Sequence, residues 1–142
     1  MPELYMPTIT TFAAGLQGIV FTALSLMVVA ERSRTRVNLG SGETPEAASP
    51  EARATKLYMA VRAHGNFAEY VPLILVLTAL IEIHTGPTLL VKCLAFGLVL
   101  ARLLHPIGIR MKAFNPYRGA GFVLTLLILA VASGKLIMLA LG

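Results

Sequence analysis

An uncharged stretch of 27 residues, Leu4 to Ala30, lies between Glu3 and Glu31 near the start of the chain. A helix needs about 20 apolar residues to cross a bilayer, so this stretch is long enough for one tilted span. The composition agrees, because 56% of the 142 residues are hydrophobic and only 13% are charged, against roughly 25% charged in soluble domains. A soluble domain of this size buries only about 70% of its surface, too little to hide so much apolar area. We therefore predict an integral membrane protein.

Three further apolar stretches lead to a predicted all-α bundle of four membrane-spanning helices. The predicted spans cover about residues 7–30, 57–83, 88–109 and 118–141. Short turns containing Pro87 and Pro116 separate the last three spans, whereas a polar segment rich in Gly, Pro and Ser, about residues 31–56, follows the first. These elements account for residues 1–142 as a single membrane domain.

Positive residues are distributed unequally over the two ends of the predicted bundle. Nine of the 12 Lys and Arg residues lie on the side of the 31–56 loop and of the turn after the third span. Because Lys and Arg accumulate in cytoplasmic loops, we predict that both termini lie outside the cytoplasm. Topology and contact with anionic lipids also explain the net charge of +5, so no nucleic-acid partner is expected.

Polar side chains interrupt the second and third spans. They are Arg62, His64, Asn66 and Glu69 in the second span, and Arg102 and His105 in the third. Ionisable groups cost several kcal/mol each in lipid and normally face a bundle interior or a wet cavity, so each is a candidate functional residue. At 100° per residue, Arg62, Asn66 and Glu69 share one face of the second helix, and His64 lies opposite. For His64, a helix–helix hydrogen bond is a simpler explanation than a ligand contact.

Glu69 and Arg102 lie at matching depths in neighbouring antiparallel spans. Glu69 is seven residues from Arg62, and Arg102 is eight residues from Arg110, so both are about 10–12 Å inside the predicted cytoplasmic boundary. We expect the two to form an ion pair. One carboxylate cannot neutralise all the cations nearby, which favours a small anionic ligand entering from the cytoplasm. The alternative is an ion pair that only locks the bundle, and no spacing of His or Cys indicates a metal site.

Two motifs in these spans resemble a known family. The second span carries RAHGNFAEYVP, from Arg62 to Pro72, and the third carries ARLLHP, from Ala101 to Pro106. They resemble the second-helix signature and the third helix of the MAPEG family, the membrane-associated proteins in eicosanoid and glutathione metabolism. Length, span number and topology match over nearly the whole chain, which looks most like the bacterial relatives of microsomal glutathione transferases. The resemblance implies a homotrimer of four-helix bundles that binds glutathione between adjacent subunits, on the cytoplasmic side.

The resemblance also implies roles for individual residues. Positions that line the family's glutathione site are matched by Arg62, Asn66, Glu69, Arg102 and His105, and by Arg32 or Arg34 at the end of the first span. Arg118 matches the arginine implicated in handling the thiol, and is therefore the expected catalytic residue. The family's prostaglandin synthase has arginine where this chain has Gly65 and tyrosines where Ile109 and Phe122 stand, which argues against eicosanoid synthesis.

The implied function is a membrane-bound, glutathione-dependent transferase or peroxidase acting on lipophilic electrophiles. Glutathione would be the co-substrate, and lipophilic small molecules and membrane lipids the other partners, in a bacterial inner membrane. One alternative is a non-catalytic protein that binds lipid or glutathione, like the family's lipoxygenase-activating member; the two missing tyrosines favour it, and Arg118 disfavours it. A second alternative is a small exporter that uses Glu69 as a proton relay, which predicts gradient-dependent transport without glutathione binding.

Overall fold

The computed structural model describes residues 4–40, 56–110 and 116–142, and for 105–110 and 116–118 it describes the backbone alone. These residues form four α-helices: α1, Thr8–Thr35; α2, Lys56–Thr85; α3, Leu89–Arg110; and α4, Pro116–Leu141. The all-α prediction is confirmed, and the helices follow the order of the four predicted spans. Helices α1 and α2 and the Gly119–Leu141 part of α4 are long and apolar enough to cross a membrane.

Helix α1 continues beyond the predicted end of the first span at about residue 30. An ion pair of 2.9 Å between Arg34 Nη2 and Glu31 Oε2 spans its last turn, and the Thr35 hydroxyl donates to the Glu31 carbonyl at 2.7 Å. The helix ends at Arg36, which adopts a left-handed conformation with φ of 57°. The polar segment predicted for 31–56 therefore starts with one more helical turn, and its residues 41–55 lie outside the described residues.

Helices α2 and α3 occupy the centre of the bundle. Each of them packs against all three other helices, whereas α1 and α4 are not in contact with each other over the described residues. The close approach of α3 to α4 occurs at Gly97, where a Cβ atom would lie 3.3 Å from Ile128 Cδ1. The apolar core includes Leu24, Phe67, Val71, Ile74, Ile81, Val91, Leu98, Ile128 and Ala132.

The start of α1 is held by a carboxylate from α2. Glu82, which is fully buried, accepts hydrogen bonds from the backbone N–H groups of Ile9 and Thr10 at 2.9 and 2.8 Å and from the Thr10 hydroxyl at 2.6 Å. The first N–H groups of a helix lack partners within the helix, and they carry the positive end of its dipole. Glu82, which is 72 positions from Thr10 in sequence, therefore caps α1 and fixes this end of α1 against α2.

The outer surface of the bundle is largely apolar. Large hydrophobic side chains are exposed on every helix, among them Phe12, Ile19, Leu73, Val76, Leu100, Leu127 and Ile137. Soluble monomers rarely expose contiguous apolar patches larger than a few hundred Å². Such a surface suits lipid or another copy of the chain.

Candidate functional site

A buried arginine connects three of the four helices. Arg102 of α3 has a relative exposure of 2%. Its Nη1 donates to Asn66 Oδ1 of α2 and its Nη2 to Thr125 Oγ1 of α4, both at 2.6 Å. A buried charge needs hydrogen-bond partners to offset its desolvation, and these two oxygens supply them.

An aromatic side chain and a helix carbonyl complete the surroundings of Arg102. The guanidinium carbon lies 6.0 Å from the centroid of the Tyr70 ring, within the range of a cation–π interaction, and Phe122 meets Tyr70 edge-on. The Thr125 hydroxyl donates its own proton to the Gly121 carbonyl at 2.8 Å. Arg102 Nε has no hydrogen-bond partner within the described part of the chain.

The prediction that Glu69 and Arg102 form an ion pair is wrong. Arg102 binds Asn66 instead, and among the described residues the structure contains no ion pair between Arg102 and Glu69. The physical reason is the rotation of α2, which directs Phe67 and Val71 into the core. Measured around the helix from Phe67, Asn66 lies about 100° away and Glu69 about 160° away. Asn66 thus borders the core, whereas Glu69 is exposed on the outer face.

Arg62 lies on the same outer face of α2 as Glu69. Both side chains are exposed and Asn66, between them, is partly buried. His64, on the other side of the helix, stacks on Phe21 of α1 with ring centroids 4.6 Å apart. This is a helix–helix contact, as predicted, but it is aromatic stacking rather than the expected hydrogen bond.

The remaining predicted residues lie near the helix ends. Arg32 Nη1 is 3.4 Å from the Val37 carbonyl and Arg34 pairs with Glu31; Arg32 also lines an open depression at the end of α1. The side chains of His105 and Arg118 are outside the described residues, although their backbones belong to α3 and to the first turn of α4. Among the predicted site residues with described side chains, Asn66 and Arg102 are in direct contact.

Comparison with known proteins identifies the family. The profile of the MAPEG family matches residues 10–138. The chain belongs to the MAPEG family. The Inner membrane protein YecN of Escherichia coli strain K12 is 29% identical to this MAPEG chain over 117 residues, which is 82% of the chain and 81% of YecN. The YecN of E. coli O6:H1 matches equally well, and no solved structure matches significantly.

Four polar or aromatic residues in the interior of this MAPEG chain were not among the candidate site residues predicted from the sequence. They are Gln17, Tyr70, Glu82 and Thr125. Gln17 is buried, and neither polar atom of its side chain has a hydrogen-bond partner among the described residues. Glu82 and Thr125 had a detectable signal, since each is a polar residue within a long apolar run. Tyr70 lies within the motif from Arg62 to Pro72, but nothing in the sequence pointed to its contact with Arg102.

Proposed function

We propose that this MAPEG chain is a membrane-bound, glutathione-dependent transferase or peroxidase acting on lipophilic electrophiles. The supporting observation is the polar face of α2, where Arg62 and Glu69 are exposed on a helix that is apolar enough to cross a membrane. Between them lies Asn66, whose oxygen is held by Arg102. A cation, an amide and a carboxylate on one face suit a small zwitterionic peptide better than a lipid tail.

Glutathione matches this face chemically. It carries two carboxylates, one ammonium group and one thiol. Arginine binds carboxylates through bidentate, charge-assisted hydrogen bonds, and the Glu69 carboxylate offers an acceptor for the ammonium group. Arg32 and Arg34 end α1 on the side where α2 begins, and are proposed contacts for a glutathione carboxylate. His105, one turn after Arg102 in α3, is a further proposed contact.

We propose a homotrimer in which adjacent subunits complete the site. Arg62 and Glu69 lie about 10 Å apart along α2, on a stripe that continues through the exposed Leu73 and Val76. Charged groups facing lipid cost several kcal/mol each, so a second copy covering the stripe stabilises the protein. Native mass spectrometry in mild detergent should therefore detect trimers, whereas a monomer that binds glutathione would contradict the interfacial site.

Arg118 is the proposed catalytic residue because of its place in α4. The helix begins at Pro116, so Arg118 lies at the positive end of the helix dipole. Positive charge lowers the pKa of a thiol from about 8.5 and so increases the thiolate fraction at neutral pH. The thiolate then forms a carbon–sulfur bond while the leaving group departs. With a lipid hydroperoxide, two glutathione molecules are oxidised to their disulfide and the hydroperoxide is reduced to alcohol and water.

The proposed location is a bacterial inner membrane, with the termini outside and the ligand site facing the cytoplasm. The similarity to an E. coli inner membrane protein supports the membrane, and the Lys and Arg distribution supports the orientation. Lipophilic substrates would reach the protein through the surrounding membrane lipids, in which they dissolve.

Calorimetry and an activity assay on one detergent preparation test the proposal. We expect glutathione to bind and to be conjugated to an apolar aryl halide. Arg118→Leu should bind glutathione normally and turn over more slowly; unchanged turnover would mean that another residue handles the thiol. Binding without turnover of several aryl halides or hydroperoxides would support the non-catalytic alternative. Gradient-dependent transport without binding would support the exporter.

A further inference from the structure

We propose that Arg102 and Thr125 are positioning residues that orient the amide of Asn66, with its oxygen inward and its NH2 group toward the outer face of α2. The inference rests on the proposed function, because the oriented amide would serve glutathione binding. Arg102 itself is buried and does not lie on that face. It acts through Asn66 rather than by touching the ligand.

The chemistry of arginine determines which way the amide faces. A guanidinium group has only hydrogen-bond donors, whereas the asparagine amide has one acceptor oxygen and one donor NH2 group. The atom that meets Arg102 Nη1 at 2.6 Å must therefore be Asn66 Oδ1. The NH2 group lies on the other branch of the amide, and no described side chain accepts a hydrogen bond from it.

Thr125 determines the direction of the guanidinium in turn. Its hydroxyl has a single proton, which is donated to the Gly121 carbonyl, so a lone pair faces Arg102 Nη2. Arg102 of α3 thus donates to Asn66 of α2 and to Thr125 of α4, and Thr125 donates in turn to the Gly121 carbonyl of its own helix. Reversing the Asn66 amide would place two donors against each other in a buried environment, where an unsatisfied donor is costly.

The consequence is that the two polar groups beside Arg62 differ in what they can bind. Asn66 offers only donors to a ligand, and therefore suits a carboxylate or carbonyl oxygen. Glu69, about one turn further along α2, offers acceptors. A ligand that has both kinds of group is held in one orientation.

The test uses substitutions that separate the stability of the protein from its affinity for glutathione. In Asn66→Asp, a carboxylate replaces the amide against the buried guanidinium, so the thermal midpoint should stay equal or rise. The outward NH2 group becomes an oxygen, so the glutathione Kd should increase about tenfold or more, as expected for loss of a hydrogen bond to a charged group. If Asn66 only stabilised the fold, a variant with an equal or higher thermal midpoint would not lose affinity for glutathione.

Thr125→Val and Thr125→Ser test the second positioning residue. Val removes the acceptor for Arg102 and should raise the Kd several-fold, whereas Ser keeps the hydroxyl and should restore the wild-type value. The matched control is Thr78→Val, because Thr78 is also buried and bonded to a helix carbonyl but has no contact with Arg102. Its Kd should equal that of the wild type.

The outcomes separate this inference from the proposed function. If the wild type does not bind glutathione, the proposed function is wrong and the inference is wrong with it. If the wild type binds but Asn66→Asp binds equally well, or Thr125→Val changes only the thermal midpoint, the inference alone is overturned. If Thr125→Ser fails to restore the affinity lost in Thr125→Val, Thr125 does not act through its hydroxyl.

Discussion

Replacing Glu82 by Gln should destabilise the fold although it changes little in volume. Glu82 is fully buried, and its two oxygens accept three hydrogen bonds at the start of α1. Gln has one acceptor oxygen and no charge, so the backbone N–H group of either Ile9 or Thr10 then faces an NH2 group. Leaving a buried donor unsatisfied costs about 1–3 kcal/mol, and the lost interaction with the helix dipole adds up to about 2 kcal/mol.

We expect a total loss of about 3 kcal/mol in the free energy of unfolding. For a chain of this length that corresponds to a fall in the thermal midpoint of about 6–12 °C. Circular dichroism during heating in detergent measures the midpoint. The matched control is Glu31→Gln, because the exposed pair of Glu31 with Arg34 contributes only about 0–1 kcal/mol.

Substitutions of Thr10 measure how much its hydroxyl contributes, apart from the two backbone N–H groups that Glu82 also binds. Thr10→Val removes one of the three hydrogen bonds while it preserves the shape of the side chain, so it should cost less than Glu82→Gln. Thr10→Ser should be close to the wild type. If Glu82→Gln melts within the range of Glu31→Gln, the carboxylate does not stabilise the start of α1 and the capping argument is refuted.

Three further predictions concern the surface, the packing and the topology. Glu69→Gln should weaken glutathione binding in calorimetry, because it removes the proposed acceptor for the ammonium group, and it should leave the contacts of Arg102 intact, since Glu69 is exposed in the single chain; unchanged glutathione binding would contradict this role of Glu69. Gly97→Leu should destabilise the protein by about 1–3 kcal/mol through overpacking, because even a Cβ atom at this position would lie 3.3 Å from Ile128 Cδ1, and a midpoint equal to that of the wild type would contradict this packing. A reporter fused after Gly142 should be active outside the cytoplasm and one inserted near Glu46 inside it, as the Lys and Arg distribution predicts; the reverse result would overturn the orientation.

The helices and the family could be predicted from the sequence alone. In a bilayer, backbone polar groups must be satisfied within the segment itself, so a long apolar run predicts a helix with few alternatives. The motif from Arg62 to Pro72 was sufficient to point to the MAPEG family, which the match over residues 10–138 confirms. Hydropathy predicted the membrane span up to about residue 30 but did not give the end of α1, whose last turn contains a local contact of Arg34 with Glu31.

The partners of the buried polar groups depended on the packing of the bundle. Spacing along one helix gives the depth of a side chain, and depth correctly placed Arg102 near the polar part of α2. It does not give the rotation of α2, which follows from how Phe67 and its neighbours pack against the other helices. Asn66 and Glu69 differ by about 60° in their position around that helix. Because of this difference, Arg102 binds Asn66 and Glu69 remains on the outer face. Thr125 and Glu82 acquire their roles in the same way, because their partners come from helices that only folding brings together.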